Sequence, residues 1–492
     1  VIDYYRKFIE HPEWMAKEVV QSGELYEGTE KGRIYRITPI GTKPVEWTKG
    51  LNLGDASVGQ LVDALASSNI WWRRNAQRLL VDQKNKDAIP LLEEMAKNVN
   101  APLGRLHALW TLQGVGQLST EMIKQALMDP ISGIRVNAIK LAELHLNDTP
   151  QLIEALLSLN EDTDIKVRFQ LLLTLGFVDL PSVSQVRQDI LFKDIQDEWI
   201  QIAALSSPFI QKGTLLDAVM DNFKIDDGAY TSLIRRLSAM IGRAGQPNEI
   251  QSLVQRTTNI SSENAYEWQA SALKGMAEGI KSKDLRSSDF QVVQNSLILT
   301  FFEHPSASVR ESALQMLKKI GLPDGPKTTT ALRRAEITVS EKHLPIERRA
   351  EAVYFLALGH LDLHISLFEG LITPDEALPI QLAALQTLSN IPGQTVSEFL
   401  LGRWNVLSPK VQKAALQTFL VDPIRVKLLL DAVEAGQIQE TSLDHSIRLQ
   451  LMTQQDEALK DRARSMFAKD DSNQRQEIVE QYKRALELKG DP

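Results

Sequence analysis

Apolar residues along this chain recur at helical spacing inside a much longer period. An Arg or Gln is followed three residues on by a small residue, most often Ala, and four beyond that by an apolar one. The set reads Arg73/Ala76/Leu80, Arg105/Ala108/Leu112, Arg135/Ala138/Ala142, Arg168/Leu171/Leu175, Gln201/Ala204 and a degenerate Arg235/Ser238/Gly242. It continues with Gln269/Ala272/Met276, Arg310/Ala313/Leu317, Arg349/Ala352/Leu356, Gln381/Ala384/Leu388, Gln412/Ala415/Phe419 and Lys460/Ala463/Phe467. Subtracting successive first positions gives steps of 32, 30, 33, 33, 34, 34, 41, 39, 32, 31 and 48. Such a period marks helix pairs stacked along one axis, not a single globular core. A small residue where two helices cross lets them approach, and the apolar residue one turn later fills the layer between them. Helix starts are marked by Ser68 and Asn69 before Ile70, Asp162 and Asp164 before Val167, Asp197 before Trp199, and Ser306 before Val309. Thr149 followed by Pro150 opens a further helix, with proline in the first turn where a missing N–H costs nothing.

The blocks SASVRESALQML around Arg310 and DIKVRFQLLLTL around Arg168 resemble HEAT-type repeats, although the period is shorter than usual for that class. The expected fold is all-α: a HEAT-like α-solenoid (an α/α superhelix) over residues 51–492, of about twelve helix pairs, preceded by a short β-containing segment. The three long steps predict insertions near residues 280–305, 320–345 and 425–455, which in repeat proteins usually sit in loops. The segment from Gly321 to Pro326 is the clearest break. Arg73, Arg105, Arg135, Arg168, Arg310 and Arg349 are expected to form a structural ladder, each reaching an acidic, Asn or Ser side chain at the start of a neighbouring helix.

Residues 1–50 break the repeat. VIDYY and GRIYRITPIG alternate as strands do, with a stretch between them long enough only for a short helix. Two strands alone are marginal in water, so they are expected to pack on a missing part of a longer protein. VIDYYRKFIEHPEWM, KGRIYRITP, NIWWRRNAQRLL and RLHALWTL resemble the junction region of large membrane-bound dehydrogenases of bacteria. In that family a sorbosone/glucose dehydrogenase-like β-propeller comes first, HEAT repeats follow, and a c-type cytochrome closes the chain. The resemblance implies that residues 1–50 are the propeller's C-terminal tail and linker, and that the array is a non-catalytic spacer in an exported oxidoreductase of the periplasm or cell envelope. Haem c and a propeller-bound cofactor would then belong to the parent protein, with none in this chain.

Composition narrows the choice further. Lys and Arg number 55 against 63 Asp and Glu, for a net charge of −8, whereas a phosphate-binding solenoid needs a basic stripe. The absence of cysteine removes disulfides, Cys-ligated zinc, iron–sulfur clusters and thiol catalysis. No run approaches the roughly 18 apolar residues of a membrane span, and no charged-then-apolar leader opens the sequence.

The residues offer little chemistry. Dinucleotide, P-loop and His-Glu-x-x-His signatures are absent. His360 and His364 have a metal-compatible spacing, but Gly359 beside them favours a loop and a solvated or locally capped pair. His107 lies between Arg105 and Ala108, where a packing histidine is expected. Arg73, Arg74 and Arg78 make a local basic patch, read as a solvated face plus the ladder. Sequons at Asn147 and Asn259 carry no weight in a bacterial reading.

Trp71, Trp72 and Trp110 either cap the open end of the array or dock it on a neighbouring domain, with His11 and Trp14 of the N-terminal segment on the same interface. Trp72 occupies the slot of the repeat's core valine and is expected inside, which leaves Trp71 as the docking residue. Besides the dehydrogenase spacer, two functions remain: a stand-alone protein-binding scaffold using the face lined by the second helix of each pair, and an enzyme within the array such as a HEAT-like DNA glycosylase. The acidic balance and the lack of a convergent Asp/Trp/Arg site argue against the last.

Overall fold

The computed structural model describes residues 52–467, apart from 260–261, 282–286 and 392, together with residues 2–3, 11, 15, 20–22 and 31–34. The chain divides into two units, Val1–Ala126 and Leu127–Pro492. In the first, β1 (Ile2–Asp3) pairs antiparallel with β2 (Arg33–Ile34), Ile2 opposite Ile34 and Asp3 opposite Arg33. The remainder of the two expected strands lies outside the described residues. Helices then follow: α1 (Val58–Ala64), α2 (Ile70–Gln83), α3 (Ala88–Lys97), α4 (Pro102–Gly114) and α5 (Thr120–Leu127).

The second unit continues with α6 (Ser132–Glu143), α7 (Gln151–Leu157), α8 (Ile165–Leu175), α9 (Pro181–Lys193), α10 (Glu198–Leu205) and α11 (Lys212–Asp221). Next come α12 (Gly228–Ala244), α13 (Pro247–Thr258), α14 (Tyr266–Gly279), α15 (Gln291–Glu303), α16 (Ala307–Ile320) and α17 (Pro326–Ser340). The last group is α18 (Ile346–Leu356), α19 (Ile365–Leu371), α20 (Leu378–Leu388), α21 (Thr395–Gly402), α22 (Pro409–Phe419), α23 (Pro423–Glu434) and α24 (His445–Met452). Residues 457–467 are also helical.

Even-numbered helices carry the Arg/Gln anchors and pack side by side within each unit: α2 on α4 in the first, and α6 on α8, α8 on α10, α12 on α14 and α14 on α16 in the second. Odd-numbered helices make the other layer, α1 on α3, α13 on α15 and α21 on α23, and hairpins such as α3–α4, α15–α16 and α17–α18 join the two. The small residue three beyond each anchor sits at the contact. Ala76, Ala108, Ala138, Ala272, Ala313, Ala384 and Ala415 are all fully buried.

Caps set where these helices begin. The side chains of Asn69, Asp164 and Asp197 accept backbone N–H groups of Trp71, Lys166 and Trp199, satisfying donors that the first helical turn leaves open. Ser306 also stands at an N-cap, but its hydroxyl bonds Ser308 instead. Pro150 is itself the N-cap of α7, so that helix starts one residue later than its sequence implies.

The expected loop insertions are helices. Residues 280–305 hold a 3-10 turn at Ser287–Phe290 and then α15; 320–345 hold α17; 425–455 hold most of α23 and all of α24. The anchor pattern reads only one helix of each pair, so extra length or an extra helix in the other layer appears as a longer step. The break from Gly321 to Pro326 does separate α16 from α17.

The degenerate anchor of α12 has a packing cause. A Cβ on Gly275 of α14 would strike the backbone carbonyl of Arg235, one on Gly279 would strike that of Ala239, and one on Gly242 would lie 2.6 Å from the Met276 carbonyl oxygen. α12 and α14 therefore meet backbone to backbone, which requires glycine at those points.

Candidate functional site

The anchor is the fourth residue of its helix in α2, α4, α6, α8, α10, α14, α16, α18, α20 and α22. That position turns its side chain back toward the end of the preceding segment. Arg73 donates to the carbonyls of Ser67 and Ser68, Arg105 to Asn98, Arg135 to Asp129, Arg310 to His304 and Pro305, and Arg349 to Val339. Gln201, Gln269, Gln381 and Gln412 do the same to Ile195, Thr257, Glu376 and Trp404. Each anchor thus supplies donors to carbonyls that the preceding segment leaves without helical partners.

Four arginines also reach forward to a carboxylate with both prongs of the fork. Arg135 holds Asp162 at 2.6 and 2.7 Å, Arg168 holds Asp194 at 2.6 Å twice, Arg310 holds Glu351 at 2.9 Å twice, and Arg349 holds Glu376 at 2.9 and 2.6 Å. Planar bidentate pairing fixes geometry as well as charge. Arg235 differs. It is the eighth residue of α12, and its own two-pronged pair with Glu278, at 2.8 and 2.6 Å, is half-exposed.

Between Gln412 and Lys460 the sequence pattern skips an anchor, Arg448; Lys460 is itself the fourth residue of helix 457–467, with Ala463 and Phe467 buried beyond it. Arg448 is the fourth residue of α24 and donates to the carbonyls of Leu443 and Glu440, whereas the Lys460 ammonium pairs locally with Glu457. Leu451 stands three beyond Arg448, as Leu171 does beyond Arg168, but the position seven beyond is the polar Gln455 where the pattern asks for an apolar residue, which hid it. With Arg448 in place, the step from Gln412 shortens to 448 − 412 = 36.

Burial raises the Asp162 carboxyl, but hydrogen bonds from Arg135 and from the Asp164 backbone outweigh it, and the group is held below its usual value. Glu376 is held down in the same way by Arg349 and the Ala377 N–H. A carboxyl depressed in the folded state contributes stability that is present above its unfolded pKa, near ~4, and lost as pH falls through the folded value. The urea midpoint is therefore expected to drop on acidification below about pH 4, and to drop less steeply in Asp162→Asn. Parallel curves for the two proteins would show that this joint carries no pH-dependent stability.

Trp72 is buried and meets Trp71 edge to face at 4.5 Å, while Trp71 is 56% exposed. Trp110 is half-buried on α4. His11 is exposed, and Trp14 lies outside the described residues. His107 is a packing histidine whose Nδ1 lies 2.7 Å from Gln77 Oε1; burial and then the nearby Arg73 charge lower its pKa. Arg74 is exposed, and Arg78 pairs with Asp82 across the helix surface. His360 is exposed, and His364 ends a 3-10 turn with its ring buried and Nδ1 3.1 Å from Glu336 of α17. No cluster of three His, Asp or Glu side chains that could hold a metal occurs among the described residues.

Sequence reasoning missed an apolar edge. In the second unit Ile131 and Ile165 are exposed at the starts of α6 and α8, and Trp199 on α10 is 67% exposed. These helices are successive neighbours in one layer, and the three residues lie four, three and two positions before Arg135, Arg168 and Gln201, at the start of each helix. Ile70, Trp71 and Leu103 occupy the corresponding turns of α2 and α4 in the first unit. The readable signal is position: Trp71, Leu103 and Trp199 each stand two residues before an anchor, on the side opposite the buried face.

Comparison with known proteins agrees with this architecture. The karyopherin Kap121p bound to Pho4p superposes with a TM-score of 0.50 at 12% identity, over 77% of this chain and 47% of that one. A multiply substituted Kap121p gives 0.50 at 11% identity, over 82% and 48%. The fold is thus that of a HEAT/armadillo-like α-solenoid, and the chain spans about half the length of the structures it matches. Residues 1–40 match the family model of a domain of unknown function, DUF7133. No curated protein sequence matches the chain. Among the described residues no helix is long and apolar enough to cross a membrane.

Proposed function

We propose that this chain is a non-catalytic scaffold that holds a protein partner along the first-turn edge of α6, α8 and α10. The observation that carries the reading is the exposure of Ile131, Ile165 and Trp199 at the starts of three neighbouring helices, in an array whose anchor arginines are occupied by neighbouring carbonyls and carboxylates. Exposed aromatic and aliphatic side chains on adjacent elements are the usual anchors of a protein interface. That solved relatives of the same fold were captured with a protein such as Pho4p supports the class of ligand by analogy of fold alone. A photo-crosslinking residue placed at Trp199 should trap one discrete adduct in cells that express the native protein, and the same residue at exposed Gln185 on α9 should not. Equal trapping at both positions, or none at either, would remove the edge as a docking surface.

The match of residues 1–40 to a separate family model supports a second reading. Here the array is the spacer of an exported bacterial dehydrogenase of the periplasm or cell envelope, between a sugar- or alcohol-oxidising propeller and a c-type cytochrome, with haem c and the propeller's cofactor outside this chain. Trp71, Trp72 and Trp110 would then face the propeller together with His11 and Trp14. Sequencing the native reading frame on both sides decides it. A propeller upstream and a Cys-x-x-Cys-His motif downstream would support the spacer, and a start and stop codon at the two ends would eliminate it.

A further inference from the structure

Arg187 on α9 stands apart from the ladder. Its side chain is nine-tenths buried, yet its guanidinium makes one hydrogen bond, from Nη2 to the Ala204 carbonyl oxygen at 2.7 Å, and Nε has no partner. No carboxylate among the described residues comes within ion-pair distance of it. Buried Arg73 also has an unpartnered Nε and no carboxylate, but it donates to two carbonyls; four other buried arginines show what is missing. Arg168, Arg310 and Arg349 each grip a carboxylate, and Arg425 lies 3.3 Å from Asp422 while donating to three carbonyls. A buried cation without a counter-charge is costly, and burial lowers the Arg187 pKa accordingly.

Beside the guanidinium lies a cavity of about 130 Å³ between α9, α10 and the start of α11. That is far more than the roughly 10–15 Å³ a single water needs. Leu191, Phe209, Ile210 and Leu215 contribute apolar lining, and Ser184, Gln188, Gln211 and Thr214 contribute polar lining. Arg187 is the only charged residue lining it.

We infer that this cavity is a binding site for a monocarboxylate with a short apolar body, held by the Arg187 guanidinium with its hydrocarbon part against Leu191, Ile210 and Leu215. One carboxylate neutralises one guanidinium, whereas a phosphate dianion would need a second cation that the lining lacks. The guanidinium supplies the counter-charge and remaining N–H donors for a carboxylate, and the apolar wall adds affinity for a few methylenes. The carboxylate can come from a free short-chain acid or from the C-terminus of a peptide, and both present the same group to Arg187.

The test is calorimetric titration of the full chain with butanoate, with its neutral isostere butanamide, and with a tetrapeptide ending in leucine as free acid or as amide. Saturable binding of butanoate or of the acid peptide is expected, with the matching amide at least about tenfold weaker; which of the two acids binds identifies the source. Arg187→Leu should bind the same acid at least about tenfold more weakly while keeping its helical circular dichroism, since it removes an uncompensated buried charge. Absence of saturable binding by either acid overturns the proposal. So does an acid and its amide binding equally, a comparison that stays decisive even if Arg187→Leu fails to fold.

Discussion

Gly275→Leu is expected to unfold the region from α12 to α16 and to lower the stability of the second unit by about 3 kcal/mol or more. Overpacking a core usually costs ~1–3 kcal/mol because side chains yield, but here the first obstacle is the Arg235 backbone carbonyl, with its carbonyl carbon and Cα at 2.9 Å. Relief requires the helices to part, which would disturb the packing of α14 on both α12 and α16. Repeat proteins lose such contacts locally before they lose them globally. Hydrogen exchange should therefore quicken in α12, α14 and α16 while α20 and α22 stay protected. Gly213→Ala on α11 is the control. Nothing lies within 4 Å of its added methyl, and a helical Gly→Ala change should stabilise by about 0.4–1 kcal/mol. A Gly275→Leu midpoint equal to wild type would mean that the two backbones are not in contact.

Arg349→Ala is expected to cost about 3–5 kcal/mol, since it leaves Glu376 buried and unpaired. Both side chains are nearly nine-tenths buried or more, and the guanidinium also donates to the Val339 carbonyl oxygen at 2.8 Å. Removing Glu376 alone by Glu376→Ala should be similarly harmful. The double variant Arg349→Met with Glu376→Leu should recover most of the loss, because replacing a whole buried pair with apolar groups is often neutral or stabilising. A double-mutant cycle from urea titrations measures the coupling, and a coupling below about 0.5 kcal/mol would show the two residues acting independently.

The layer carrying the anchors was legible because its packing demands a small residue at one fixed offset from a long polar one. Arg73, Arg135 and Arg349 announce themselves in that way. Their partners did not, because Asp162 and Glu376 reach the fork from loops whose course the sequence leaves open. Nor did the backward bonds to carbonyls, which glutamine makes as well as arginine. Arg448 was missed because polar Gln455 stands where the apolar residue belongs, and the odd-numbered layer, with no anchor, was invisible except as spacing. Trp199 shows a different limit: an exposed tryptophan at the start of a helix resembles a buried one until the direction of the helix face is known. Arg187 lies outside the repeat pattern altogether, and only its missing partner distinguishes it.

The meeting of α12 and α14 has a mechanical corollary. Two backbones in direct contact form a toothed joint. Sliding α14 along α12 by one turn would in one direction bring Ser271, which carries a Cβ, to the place where only Gly275 fits, so this joint resists shear that way. Layers separated by side chains can creep past one another by exchanging rotamers, and this one cannot. If the second unit flexes to accommodate a partner, the bending should fall on either side of the α12–α14 pair, which would move as a single rigid block.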